Sequence, residues 1–222
     1  ERVANRFGLP QRSCVVVFRP EARPERSLTE LLREIAPLEE QDLLAEDGEG
    51  RTVLIKRGDD LDEVRDFTLA LLGTLEAETG RKPRAGMGEI HQGMAEWPEG
   101  LQEALRALRI GEEFRLKEPL QVYRYLLLER LLSEIPPERR KAFRKSLMRN
   151  GEEKALPPEL VETMETFFAS DLNLSDTARQ MFLHRNTLTY RLDKIRKETG
   201  LDVRHFNDAV IFRVLMALPE ET

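Results

Sequence analysis

Cysteine is almost absent from this chain: Cys14 is the single one. One thiol excludes an internal disulfide framework and fits a reducing, cytoplasmic setting. Cys14 lies in the apolar run "CVVVF", where a buried structural thiol is expected. Long hydrophobic runs are also missing. No stretch approaches the roughly 18 apolar residues of a membrane span, and Glu1 to Arg12 contains no apolar signal-peptide core. The three histidines, His91, His184 and His205, are scattered and have no thiolate partners, so neither a metal site nor a cofactor is expected. "GMGEIHQG" (86–93) matches neither a dinucleotide glycine fingerprint nor a Walker loop. Its glycines read instead as a strand easing into a tight turn. Ser13, Ser27 and Ser133 read as strand-edge, cap and helix residues, and no nucleophile–base pair stands out.

What is present is charge, unevenly placed. The net charge of −6 argues at first against nucleic acid. Residues 1–135, however, carry 20 Lys and Arg against 27 Asp and Glu, while residues 136–222 carry 15 against 14. The segment from Arg185 to Thr199 has five basic residues (Arg185, Arg191, Lys194, Arg196, Lys197) and two acidic ones (Asp193, Glu198). Screening confines electrostatic reach to about 10 Å, so this local excess of cations governs contact with phosphates.

The length suffices for two small domains with a core each. The first half alternates. "SCVVVFRPE" is a strand. "SLTELLREIA" is a helix, with Ser27 as N-cap and Glu30 at capping-box spacing. Two apolar runs flank Asp47-Gly48-Glu49-Gly50 as a hairpin. "LDEVRDFTLALLGTLEAETG" is a long amphipathic helix closed by Gly80. A weaker strand, "KPRAGMGEIHQG", and the helix "EGLQEALRALRIGEEF" complete the set. The order β-α-β-β-α-β-α predicts an α+β domain with a ferredoxin-like or nucleotide-cyclase-like core. Its sheet is expected to be antiparallel or mixed, with helices on one face. From Leu120 onward only helices are expected: "VYRYLLLERLLSEI", "PERRKAFRKSLMRN" ending near Gly151, "PELVETMETFFASD", and the last apolar helix "DVRHFNDAVIFRVLMALPEE". The basic run at 139–149 reads as a solvated face, with added phosphate contacts as the functional alternative.

Between the last two of these helices lies "NLSDTARQMFLHRNTLTYRLDKIRKETGLD", a short helix, a tight turn and a longer basic helix. The first helix is expected from about Ser175, as N-cap, to about Met181, with Ala178 permitting close helix packing. His184 sits where the second helix's N-cap belongs. Around that helix Leu188, Leu192 and Ile195 share an apolar face. Asn186, Tyr190, Asp193 and Lys197 lie opposite, flanked by Thr187, Thr189 and Lys194. Amides can pair with adenine, arginine with guanine, and threonine methyls can touch thymine. Lys194, Arg196 and Lys197 are placed for phosphates. Many such turns hold glycine where this chain has Phe182.

"HRNTLTYRLDKIRKETGLDVRHFNDAVIFRVLMAL" resembles the C-terminal helix-turn-helix of the PucR/CdaR family of bacterial transcription regulators, through His184-Arg185-Asn186-Thr187, Tyr190-Arg191-Leu192, Ile195, Thr199-Gly200-Leu201 and the terminal helix. In that family a bulky residue is usual at the position of Phe182. "AGMGEIHQGMAEWPEGLQEALRAL" resembles, more loosely, the end of the GGDEF-like domain that precedes this motif in many CdaR-type regulators. The resemblance implies a noncatalytic, Fis-like DNA reader on a degenerate GGDEF-like domain. By that resemblance Arg185, Asn186, Thr187, Thr189, Tyr190 and Arg191 lie on the recognition helix, and helix geometry suggests which of these touch bases; His184, by its place at the helix start, could donate to a phosphate.

A true cyclase hairpin, Gly-Gly-Asp/Glu-Glu-Phe, is replaced by Asp47-Gly48-Glu49-Gly50-Arg51. Arg19-Pro20-Glu21 follows the first strand where a metal-binding Asp would stand, so no enzymatic activity is expected. The expected organisation is a remnant of an upstream region (1–13), the GGDEF-like domain (14–118), a helical connector (119–158) and the helix-turn-helix domain (159–222). The expected partners are double-stranded operator DNA and a second copy, pairing through the α+β domain or "YRYLLLERLL". A small-molecule effector is expected to act chiefly through a segment preceding residue 1. The alternative is a small-molecule or nucleotide-binding module that acts through protein partners without touching DNA.

Overall fold

The computed structural model describes residues 10–20, 26–147 and 156–218. They fall into two compact units, one ending at Arg130 and the other beginning at Leu131.

The first unit is built on strand β1 (Arg12–Arg19). Cys14, Val16 and Phe18 point to one face and Val15 and Val17 to the other, and all five are buried. A strand buried on both sides reads as an unbroken apolar run, because neither face has to be polar. β1 is accordingly central in the order β2-β3-β1-β4-β5. It pairs antiparallel with β3 (Thr52–Arg57) and β4 (Arg84–Gln92). The hairpin strand β2 (Leu43–Glu46) continues that edge, while β5 (Leu120–Val122) runs parallel to β4.

Helices α1 (Leu28–Ile35) and α2 (Leu61–Thr79) bury Leu28, Leu32, Val64, Leu71, Leu72 and Leu75 against Cys14, Val16 and Phe18. Helix α3 (Trp97–Glu113) lies on the opposite side and packs Ala104 and Leu108 onto Val15 and Val17. Helices therefore cover both faces, not one, as the double-sided burial of β1 requires. The α3 face depends on Gly86 and Gly88. A Cβ on Gly86 would fall 2.0 Å from the Ala104 carbonyl oxygen, and one on Gly88 2.7 Å from that of Gly100. These glycines sit within β4 and let a helix backbone approach it. Only Gly93, at φ 72°, makes the turn that follows.

The alternation expected as far as α3 is present, and Gly80 closes α2 in the left-handed conformation. Ser27 caps α1, its Oγ accepting from Thr29 N at 3.2 Å. The expectation of helices alone after Leu120 is corrected by β5. A single 3-10 turn, Tyr123–Leu126, then leads into α4 (Leu127–Ser133).

The second unit contains α5 (Pro137–Leu147), α6 (Pro158–Ala169), α7 (Leu174–Gln180), α8 (Arg185–Thr199) and α9 (Phe206–Ala217). The expected end of α5 near Gly151 lies outside the described residues. Its basic run is not wholly a solvated face. Arg140 and Arg144, four apart and so on one side of the helix, are both buried, and Arg144 donates to the Leu218 carbonyl at 2.8 Å. Leu160, Met164 and Phe167 of α6, Leu188, Leu192 and Ile195 of α8, and Phe212 and Leu215 of α9 form the core. Each such side chain contributes about 1.5–3 kcal/mol by leaving water.

Candidate nucleic-acid interface

The helix-turn-helix is α7, its turn and α8. Asn173, not Ser175, caps α7: its Oδ1 accepts from Ser175 N at 2.9 Å and from Asp176 N at 3.2 Å. An amide oxygen two residues before the expected cap satisfies the orphan N–H groups and starts the helix at Leu174. Thr177 and Ala178 are buried in the unit.

The α7 C-terminus ends in a Schellman arrangement. Leu183 N donates to Ala178 O at 2.9 Å and Phe182 N to Arg179 O at 3.2 Å. This geometry places Phe182 at φ 54°, the left-handed region usually reserved for glycine. The Phe182 side chain gains nothing in return from packing, since the residue is 97% exposed.

His184 then caps α8. Its Nδ1 accepts from Asn186 N at 3.2 Å, which in a neutral ring leaves the proton on Nε2. Gly200, left-handed at φ 81°, closes the helix. Leu188, Leu192 and Ile195 are fully buried, as the periodicity demands. On the outer side His184, Arg185, Asn186, Thr187, Tyr190 and Lys197 are exposed, Tyr190 by 67%. Thr189 is half-buried and donates back to the Arg185 carbonyl at 3.0 Å.

Two of the expected DNA contacts are engaged elsewhere. Arg191 Nη1 donates to Thr163 Oγ1 at 3.1 Å, and Lys194 Nζ lies 3.3 Å from Glu159 Oε1, so both reach toward α6. Their positions, about 60° and 120° from Leu188 around the helix, bring them over the α6 flank. Arg196 stays largely exposed, 3.4 Å from Asp202. Asp193 is paired with Arg204 at 2.9 Å. Hydrogen bonds from Arg204, with its charge and that of Arg196, outweigh burial and hold the Asp202 carboxyl below its ordinary value. This cluster ties the loop after α8 to the helix's end.

The other features of interest resolve locally. Asp47 is consumed by its own turn. Its Oδ1 accepts from Glu49 N and Arg51 N, and its Oδ2 meets Arg51 Nε at 2.6 Å. His91 lies between Glu103, 2.9 Å away, and Glu96, 3.4 Å away. His205 is exposed, 3.7 Å from Asp202. Ser13 accepts from the Trp97 indole at 3.0 Å. Glu21 lies outside the described residues. No helix among them is long and apolar enough to cross a membrane.

Comparison with known proteins places both units. The PucR C-terminal helix-turn-helix domain matches residues 160–218, and the GGDEF-like domain matches residues 1–110. The purine catabolism regulatory protein of Bacillus subtilis (strain 168) is 27% identical over 157 residues, 68% of this chain and 30% of that protein. The carbohydrate diacid regulator of Escherichia coli (strain K12) is 39% identical over 62 residues, 28% of this chain and 16% of that protein. The proline-responsive transcriptional activator PutR of B. subtilis is 26% identical over 128 residues, covering 54% of this chain and 30% of that protein. The chain thus spans less than a third of the length of these relatives. With a GGDEF-like domain followed by this helix-turn-helix, the chain belongs to the PucR/CdaR family.

Proposed function

We propose that this chain is the DNA-binding part of a cytoplasmic transcription regulator, and that α8 reads operator DNA in the major groove. The observation that carries this reading is the outer face of α8. His184, Arg185, Asn186, Thr187 and Tyr190 crowd its exposed N-terminal half, with Arg196 and Lys197 one to two turns further on. Helix-turn-helix modules present the start of the second helix to base edges. On this reading Asn186 pairs with a base, Tyr190 and Thr187 contact neighbouring groups, and His184 Nε2, Arg196 and Lys197 meet phosphates. Thr189, Arg191 and Lys194 shape the helix and its seat on α6 and reach DNA only at the margin.

A reading head this small works in pairs, with half-sites about one helical turn apart, so the regulator acts as a homodimer. Tyr125 and Leu127, both exposed, are candidates for pairing. The GGDEF-like unit serves without catalysis, because the carboxylate of its hairpin is engaged by Arg51. A small-molecule effector would act on the whole protein, and this chain spans less than a third of its relatives' length.

The test is fluorescence anisotropy of this chain on DNA from upstream of its own gene, across a salt series, against an unrelated fragment. Preference for the upstream DNA with steep salt dependence supports the reading. If neither fragment binds at low salt, α8 is a packing helix.

A further inference from the structure

Positive charge gathers where β1 ends and β4 begins. Arg19 and Arg84 stand directly opposite each other in the β1–β4 ladder. Thr52 pairs with Phe18, so the preceding Arg51 stands at the same end of the sheet. Three arginines thus come together on neighbouring strands. Like charges directly opposed across a sheet are destabilising. Partial burial and the nearby charges of Arg84 and Arg51 pull the Arg19 guanidinium below its ordinary value.

Local partners compensate unevenly. Arg51 is met by Asp47 and Glu49, and Arg19 by Glu112. Arg84 donates to two backbone carbonyls, those of Leu116 and Glu118, which carry no net charge.

Beside these arginines opens a cleft of about 530 Å³. Arg19, Lys82, Arg84 and Lys117 line it, with a single carboxylate, Glu76, and three prolines. Its size falls within the range of small-molecule sites. Proline walls have little conformational freedom left to lose on binding. Four cations against one acid, in the acidic half of the chain, is the reverse of what composition would supply by chance.

We propose that this cleft binds a small organic polyanion bearing phosphoryl or carboxylate groups. Arg19 and Arg84 grip its oxygens, and the exposed Lys82 and Lys117 add charge at the rim. Guanidinium groups suit this role because their planar fork matches an oxyanion edge. The site would let the GGDEF-like unit respond to a metabolite directly, and it stands independently of DNA reading by α8.

The test is isothermal titration of the whole chain, at about 50 mM salt, with inorganic pyrophosphate and with citrate as probes. Three variants accompany it: Lys82→Glu with Lys117→Glu, Arg84→Gln, and Lys197→Glu on α8 of the other unit. The expected result is saturable one-to-one binding tighter than about 1 mM, weakened at least about tenfold in the first two variants and unchanged in the third. Preference for pyrophosphate or for citrate then tells a phosphoryl from a carboxylate ligand. The paired lysine variant alters only exposed side chains, so it tests the site even if Arg84→Gln fails to fold. The proposal is overturned if neither probe binds, if the lysine variant keeps the parent's affinity, or if Lys197→Glu alone abolishes binding. The anisotropy experiment on DNA has a separate readout, so failure of one reading leaves the other standing.

Discussion

Single residues set both the cost and the selectivity of the reading head. Phe182 holds a left-handed backbone while almost wholly in water, so it carries strain without compensating burial. Phe182→Asn, which tolerates that conformation, should raise the stability of the helical unit by about 0.5–1 kcal/mol in thermal or urea unfolding. A loss of stability would mean that the ring packs after all. Asn186→Ala should cost roughly 1–3 kcal/mol on a cognate site and relax preference at one base pair. Lys197→Ala should weaken all sequences alike and flatten the salt slope by about one. Equal binding by both variants and the parent would remove α8 from the interface.

His91 supplies a pH dependence in the other unit. Burial alone would lower its pKa, but the hydrogen bond and charge of Glu103, joined by Glu96 and Glu99, hold it above the ordinary 6.5. Folding therefore favours the protonated ring. That stabilisation is complete below the unfolded value and disappears as pH rises through the raised folded value. Urea midpoints of the sheet unit should be higher at about pH 6 than at about pH 8, and His91→Gln should remove the difference. An unchanged difference in the variant would assign it to other groups.

Among elements, the contact of α3 with β4 is the least tolerant. Gly86→Ala places a methyl group inside van der Waals range of a helix carbonyl, and neither backbone can move alone. The expected cost is at least about 2 kcal/mol, against well under that for an exposed glycine such as Gly73, measured by chemical denaturation.

This contact also shows where sequence reading stops. The period of "CVVVF", the hairpin chemistry at Asp47–Arg51 and the αL glycines at 80 and 200 are local signals, and they declare themselves. Which face of the sheet a helix covers is not local. Gly86 and Gly88 look like turn residues until the partner backbone is known. β5 is three residues long, too short to carry a period, and exists because β4 offers it an edge. At the interface, the buried stripe of α8 and the His184 cap were legible, whereas the diversion of Arg191 and Lys194 toward Thr163 and Glu159 depends on where α6 lies. The arginine pair across β1 and β4 is likewise invisible until register is fixed.

For the whole molecule, the proposed function requires a chain of net charge −6 to approach a polyanion. Binding must then rest on a few local cations and be sharply salt-dependent. Arg185, Arg196 and Lys197 are the exposed cations of α8. At about −0.9 per phosphate neutralised, one head should give a log–log salt slope of roughly −3 and a pair of heads roughly −5. The slope, measured together with sedimentation, therefore reports whether two copies engage one site. A slope of only about −3 on a full operator would argue against paired binding.

The central place of β1 has a further consequence, in time. Its partners β3 and β4 are completed only at Arg57 and Gln92. At a synthesis rate of roughly 5–20 residues per second, the apolar strand waits about 4–15 seconds after its own completion before the last residue of β4 is made. During that interval "CVVVF" leaves the ribosome with no neighbour on one edge and no helix over the Val15–Val17 face. The growing chain is most open to aggregation, and most in need of a chaperone, over that stretch of synthesis.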